Sequence, residues 1–360
     1  MDRVRRQLFL PDDGPKGAGV RVAVLDTGVD LEHPDLAGVV EVAASQNFAR
    51  LADDLTDRWY HGTHVAGIIA GNGAASNGRL RGIAPAARIV VMKIAANGSG
   101  AQGDVAAAIE ESMLAKVDII NYSASYSPLG DRGPAPWVWP SSRSAMEALF
   151  DAAADAGVLC VVAAGNDGPA PGSINRPGGL ASVLTVGAMD GGRVLRQSSR
   201  GPYRVLATLR TNGVRRWDSL LDVGAEERVK PDLVAPGEDV FAPRASRGVA
   251  VSETMLLDPA DPSCHYLKVT GTSQATAVVS GMAACLLDLA NANDIDLGPN
   301  RGATLKSLLV HAARPLADGT RDDFGAGMLN WPVLVQTLRD FAADDRFREI
   351  VMNGPQLRLL

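Results

Sequence analysis

Four side chains in this sequence could together carry out acyl transfer. Asp26 closes an apolar run in VAVLDTGVDLEHPDL, His64 stands in HGTHVAGIIAG, Asn166 in VVAAGNDG and Ser273 in GTSQATAVVSG. A serine hydroxyl attacks a carbonyl when a base takes its proton. Histidine is such a base near neutral pH, and a carboxylate behind the ring holds its tautomer. A side-chain amide can hold the oxyanion that forms. Each residue also has a plain structural role. Asp-Thr-Gly suits a turn or a cap, a serine ahead of an apolar helix is commonly its cap, and Asn beside Gly is a turn residue. His61 and His64, three apart, could also mark a metal site, although no Glu-x-x-His pattern accompanies them.

The elements around these residues place them where chemistry is done. Apolar, β-branched runs at 20–25, 88–94, 117–122, 158–164 and 182–187 alternate with helical stretches near His64, over 102–116 and over 144–156. Continuous apolar strands separated by helices predict an α/β fold in three layers, a mostly parallel central sheet covered by helices on both faces. In such sheets working groups stand at the carboxyl ends of strands, where Asp26 falls. His64 opens a helix rich in Gly and Ala, which can approach its neighbours closely. Ser273 precedes a long apolar helix whose first-turn N–H groups and dipole favour a developing negative charge. No fixed repeat or linker divides the chain, so residues 1–360 read as one domain. Loop insertions are expected near 127–142, with Trp137 and Trp139, near 203–228, with the turn pair Asn212-Gly213, and near 244–265.

The 360 residues are 46% hydrophobic, and 35 basic against 41 acidic side chains leave a net charge of −6. This balance gives no reason to expect nucleic acid or a membrane surface as partner. No signal peptide and no run of about 18 apolar residues is seen, so no membrane span is expected. The chain as written reads as cytoplasmic; one trimmed of an export signal would look the same. Cys160, Cys264 and Cys285 suit neither a disulfide framework nor a metal motif. Cys160 and Cys285 lie in apolar runs and read as buried, whereas Cys264 falls in a loop expected to be exposed.

The order Asp, His, Ser, with Asn between His and Ser, is that of one family of serine hydrolases. The chain resembles the subtilases over nearly its whole length. The resemblance rests on Asp26-Thr27-Gly28, on His61-Gly62-Thr63-His64-Val65-Ala66-Gly67, on Ala163-Ala164-Gly165-Asn166 and on Gly271-Thr272-Ser273. His33-Pro34-Asp35, Gly82-Ile83-Ala84-Pro85, Gly98-Ser99-Gly100, Ser198-Ser199-Arg200-Gly201-Pro202, Lys230-Pro231-Asp232 and Ala235-Pro236-Gly237 add to it. It implies a serine endopeptidase acting through an acyl-enzyme. Ser273 would be the nucleophile, His64 the general base and Asp26 the orienting carboxylate, with the Asn166 amide and the Ser273 N–H as oxyanion donors. It further implies a polypeptide substrate bound as an added strand between Gly98, Ser99, Gly100 and Ser123, Ala124, Ser125. Ala163, Ala164 and Gly165 would wall the primary pocket, Asn175 would lie near its floor, and the Arg176-Pro177 bond would be cis. No cofactor is required for this chemistry.

The chain also departs from the family pattern. Gln274 follows the nucleophile where Met is usual, Ala277 stands where Pro is common, and Ser123-Ala124-Ser125 replaces Ser-Leu-Gly. A side chain at Ser125 crowds the pocket mouth and Asp167 puts a carboxylate near its rim, which points to restricted specificity for small or polar side chains. Asp35 matches a family calcium ligand, but the loop at 72–81 matches poorly, so the metal content stays open. The stretch ahead of Val20 is too short for the pro-region that restrains relatives, implying its removal or a regulatory or inhibitory partner in its place. Two other readings compete: a catalytically silent peptide-binding protein, and a peptide ligase or macrocyclase in which 127–142 forms a lid that excludes water.

Overall fold

A computed structural model of the chain describes residues 1–49, 54–96, 98, 100–124, 144–205, 226–258, 260 and 264–353. Ser99, Ser125, the 127–142 insertion, most of 203–228 and four residues of 244–265 therefore lie outside the described residues. The strands are β1 (Arg21–Asp26), β2 (Gln46–Asn47), β3 (Arg88–Lys93), β4 (Ile119–Tyr122), β5 (Leu159–Ala163), β6 (Leu184–Asp190), β7 (Arg193–Val194), β8 (Tyr203–Val205), β9 (Glu226–Arg228), β10 (Leu233–Pro236), β11 (Val240–Pro243) and β12 (Tyr266–Val269). The helices are α1 (Asp2–Gln7), α2 (His61–Ala70), α3 (Gln102–Leu114), α4 (Ala145–Asp155), α5 (Thr272–Ala292), α6 (Arg301–Ala312), α7 (Arg321–Phe324), α8 (Trp331–Ala343) and α9 (Asp345–Asn353).

One sheet runs in the order β10-β6-β5-β4-β1-β3-β2, parallel along this path, with β7 antiparallel on β6. β11 and β12 form a separate antiparallel ribbon. The five strands expected from apolar runs are β1, β3, β4, β5 and β6. Their residues alternate between two cores, as a pleated strand requires. Val22 and Val24 join the core that includes α2, α5, α6 and α8, whereas Ala23 and Leu25 join the core under α3 and α4. This is the expected three-layer α/β arrangement.

The chain passes from β1 to β3 on one side and then to β4 on the other. β1 therefore lies at the point where the connections change direction, and the crevice at its carboxyl end is the usual ligand site of an open α/β sheet. α5 is long and apolar enough, by length and composition, to cross a membrane, a property the sequence reading does not single out. Its side chains pack instead against α2 and strands β4, β5, β6 and β10. The segment ahead of Val20 belongs to the core as well. Met1, Val4 and Leu8 are buried there, and the Arg5 guanidinium donates to the Gly82 and Pro11 carbonyls.

Candidate active site

Asp57 starts the site, because its carboxylate organises the turn from which α2 departs. It accepts from the N–H groups of Trp59, Tyr60 and Thr63 and from the hydroxyls of Thr27 and Thr63. The Thr63 N–H lies in the first turn of α2, where no intrahelical acceptor exists, so Asp57 acts as a cap from outside the helix. Burial raises the Asp57 pKa despite these donors, and the nearby charge of Asp26 adds to the rise. Thr27 also accepts from the Gly62 N–H at 2.9 Å, joining the end of β1 to the first turn of α2. The small residues of α2 permit the close approach expected of them: a Cβ on Gly67 would come within 2.2 Å of the Pro243 ring.

This arrangement puts His61 on Asp26. His61 Nδ1 lies 2.8 Å from Oδ1 and 2.9 Å from Oδ2 of Asp26, which is 4% exposed. The Thr27 N–H donates to Oδ1 at 2.8 Å. Burial of the ring lowers the His61 pKa, but the Asp26 charge and hydrogen bond, helped by Asp57, outweigh it and leave the value raised.

His64 is elsewhere, and its expected place beside Asp26 is corrected. It lies one turn deeper in α2 with no exposed surface. Its Nε2 is 3.0 Å from the Val240 carbonyl and 3.2 Å from that of Leu267. Both partners accept only, so Nε2 carries the proton and donates. Nδ1 is buried without a partner. Burial and the neighbouring His61 push the pKa down to about 3. His64 is thus a neutral clamp between α2 and the β11–β12 ribbon. A ring sealed in this way cannot pass a proton to a ligand in the crevice.

Ser273 stands in the first turn of α5 and is 9% exposed. Its hydroxyl donates to the Ser123 carbonyl at 2.8 Å, and the Ser123 hydroxyl donates to the Ser273 carbonyl at 3.0 Å. Asn166, just beyond β5, accepts through Oδ1 from the Thr272 N–H at 3.0 Å and the Thr272 hydroxyl at 3.2 Å. Anchoring Oδ1 leaves the Nδ2 end of the amide to face outward beside Gly271. Asp26, His61, Ser123, Asn166 and Ser273 therefore converge at the carboxyl ends of β1, β4 and β5. A hydroxyl, an imidazole backed by a carboxylate, and amide donors can together attack a carbonyl and hold the resulting oxyanion.

Of the residues expected to line a substrate cleft, those described lie at or beyond the ends of β3, β4 and β5. Gly98 packs on the Trp59 indole, where a Cβ would sit 3.0 Å from the ring, and Trp59 stacks on Tyr60 directly ahead of His61. Gly100 bridges Ala95, and Ala124 follows Ser123. Ala163 closes β5, Ala164 and Gly165 follow it, and all three are buried. Asn175 donates its N–H to the Ala164 carbonyl and its Nδ2 to Asp167 Oδ2 at 2.6 Å. The Arg176-Pro177 bond is cis. The sequence offers His61 as a possible metal ligand and a motif residue, not as the general base, and gives Asp57 no role. An acidic residue just ahead of a helix start, and a histidine as its first residue, were the available signals.

Asp35 Oδ1 accepts from the Ala75 N–H and Oδ2 from the Tyr266 hydroxyl, both at 2.8 Å. Among the described residues no cluster of three His, Cys, Asp or Glu side chains could hold a metal. Cys264 is buried, not exposed as expected; its sulfur takes the Asp258 N–H and donates to the Tyr266 carbonyl.

Comparison with known proteins gives the family of the chain. Residues 17–328 match the profile of the subtilase family. Serine protease AprX of Bacillus subtilis (strain 168) is 30% identical over 326 residues, 87% of this chain, and the chain spans 65% of that relative's length. The major intracellular serine protease of the same organism is 31% identical over 76% of this chain and 70% of its own length. Among solved structures, the prenylagaramide maturation protease PagA superposes with a TM-score of 0.64 at 27% identity, covering 93% of this chain and 98% of its own. Sphericase gives 0.64 at 28% identity over 91% and 97%. With the family's motifs converging in its crevice and its profile matched over most of the sequence, the chain belongs to the subtilase family of subtilisin-like serine proteases.

Proposed function

We propose that this chain is a serine endopeptidase whose triad is Asp26, His61 and Ser273. The observation that carries the reading is the bond from His61 Nδ1 to the buried Asp26 carboxylate, which fixes the imidazole with Nε2 as its remaining base. Ser273 Oγ leaves the Ser123 carbonyl, gives its proton to His61 Nε2 and attacks the scissile carbonyl. The oxyanion is held by Asn166 Nδ2 and the Ser273 N–H. His61 then protonates the leaving amine, and water releases the acyl group by the same route in reverse. Asp26 stabilises the imidazolium.

The substrate is a polypeptide lying along Gly98, Gly100, Ser123 and Ala124, with the primary side chain beside Ala163, Ala164, Gly165 and Asn175. Specificity is restricted. The Asp167 carboxylate, held on Asn175, offers charge and hydrogen bonding to small, polar or basic side chains and a poor surface to large apolar ones. Likeness to a structure named as a maturation protease favours a precursor cut at few sites. The buried free cysteines and a relative named as intracellular favour a reducing compartment.

The test is a fluorophosphonate probe followed by a peptide library. Labelling is expected at Ser273, absent in Ser273→Ala, with hydrolysis confined to a narrow set of peptides. No labelling, or efficient cleavage after Phe or Tyr, contradicts the triad or the specificity respectively.

A further inference from the structure

Gln274 directly follows Ser273 in α5 and is 1% exposed. Its Nε2 is buried with no hydrogen-bond partner. The other end of the amide, Oε1, lies 3.2 Å from the position a Cβ on Gly271 would take. That same point is 3.4 Å from Oδ1 and 3.5 Å from Nδ2 of Asn166. Two side-chain amides thus meet at Gly271, in the turn that presents Ser273.

An N–H donor buried without an acceptor is rarer in proteins than an under-satisfied carbonyl. A half-turn about the last side-chain bond exchanges the two ends of the amide. It brings NH2 to the side of Gly271 and Asn166 and turns the carbonyl to the buried place that NH2 leaves. Negative charge on the oxyanion selects this orientation, because Oε1 would repel that charge and the amide hydrogens attract it. We infer that Gln274 is a further catalytic residue, a second side-chain amide donor to the oxyanion beside Asn166. This rests on the proposed role of Ser273 as nucleophile. Such a donor strengthens as charge develops, so it lowers the barrier without tightening substrate binding.

The test compares wild type with Gln274→Met, close in size and lacking the amide. It measures kcat and KM on one cleaved peptide, the affinity for a peptide boronate with the same sequence, and Tm. The expected result is a loss of kcat of about three- to tenfold, the scale of one hydrogen bond. KM should hold, boronate affinity should fall by the same factor, and Tm should rise because an unpaired buried donor is gone. A higher Tm with kcat and boronate affinity unchanged overturns the inference and leaves Gln274 a structural substitution. Gln274→Leu gives the same readings if the Met variant does not fold. A wild type inert to both peptide and fluorophosphonate overturns the protease reading itself and this inference with it.

Discussion

Ser273 and Ser123 hold each other through a reciprocal pair of hydrogen bonds, each hydroxyl donating to the other's carbonyl at 2.8 and 3.0 Å. The pair ties the first turn of α5 to the end of β4. Behind it, Asn121 Nδ2 donates to the Ser123 hydroxyl at 2.9 Å and the Ser280 hydroxyl donates to Asn121 Oδ1 at 2.9 Å. Ser123→Ala would remove the bond to the Ser273 carbonyl and strand a buried amide donor on Asn121. The expected loss is about 1–3 kcal/mol of stability, with slower fluorophosphonate labelling as Ser273 loses its support. Unchanged Tm and labelling rate would show that the network does not position the nucleophile.

The two histidines of α2 should separate cleanly on mutation. His61→Ala is expected to fold normally and lose turnover by about 10⁴-fold or more, because triad members act as a unit. His64→Ala removes the donor to the Val240 and Leu267 carbonyls and opens a cavity, at a cost of roughly 2–4 kcal/mol. Its folded fraction should still react with a fluorophosphonate. Thermal melts and active-site titration on both variants decide the matter; a stable but inert His64→Ala beside an active His61→Ala would sink the assignment.

The sheet, its covering helices and three of the four candidate positions are legible because each rests on a local pattern. Apolar runs mark strands, Asp26 ends one of them, Asn166 follows another, and Ser273 begins a helix. The choice between His61 and His64 turned on depth, which a motif does not state. Helix geometry supplies it: α2 is buried at every residue after His61, so only the first histidine faces the crevice. Cys264 departs from expectation for a related reason. A loop-like sequence suggests exposure, while Cys264 packs against its own neighbours Asp258 and Tyr266 at the entry to β12. Ser123 was read for its backbone, and its side-chain bond to α5 depends on a contact 150 positions away in sequence.

Lowering the pH should stop catalysis before it loosens the fold. Burial lowers the His61 pKa, but Asp26 more than restores it, so the free-enzyme acid limb of kcat/KM should lie above the ordinary histidine value of about 6.5. Stability responds in another window. The folded-state pKa of His64 is depressed to about 3, so the unfolded chain binds more protons between there and about 6.5. Stability present above 6.5 therefore falls with falling pH across that window, by up to about 1.4 kcal/mol per unit. The raised pKa of His61 acts in the opposite sense: its contribution is full below about 6.5 and is lost as pH rises through its folded value. It is constant where His64 titrates. Turnover and Tm measured from pH 8 to pH 4 should show the activity loss first and reversibly. An acid limb below 6.5 would contradict the Asp26–His61 coupling.

Peroxide should spare activity. Relatives with Met after the nucleophile are expected to lose activity when the thioether becomes a polar, bulkier sulfoxide beside the oxyanion site. Here Gln274 offers no sulfur. Met92, Met146, Met189 and Met282 are at most 1% exposed, while Met352, far along the chain in α9, is 37% exposed and should oxidise first. The thiols are protected as well. Burial pushes Cys160 and Cys285 up to about 12, so little thiolate is present near neutral pH, and the Cys264 sulfur is enclosed by its own hydrogen bonds. Wild type, Gln274→Met and Cys264→Ser treated with hydrogen peroxide and titrated with a fluorophosphonate should differ in one respect: only Gln274→Met loses a large fraction of its starting sites. Rapid loss in wild type that Cys264→Ser does not rescue would place another oxidisable group in the crevice and contradict the predicted resistance.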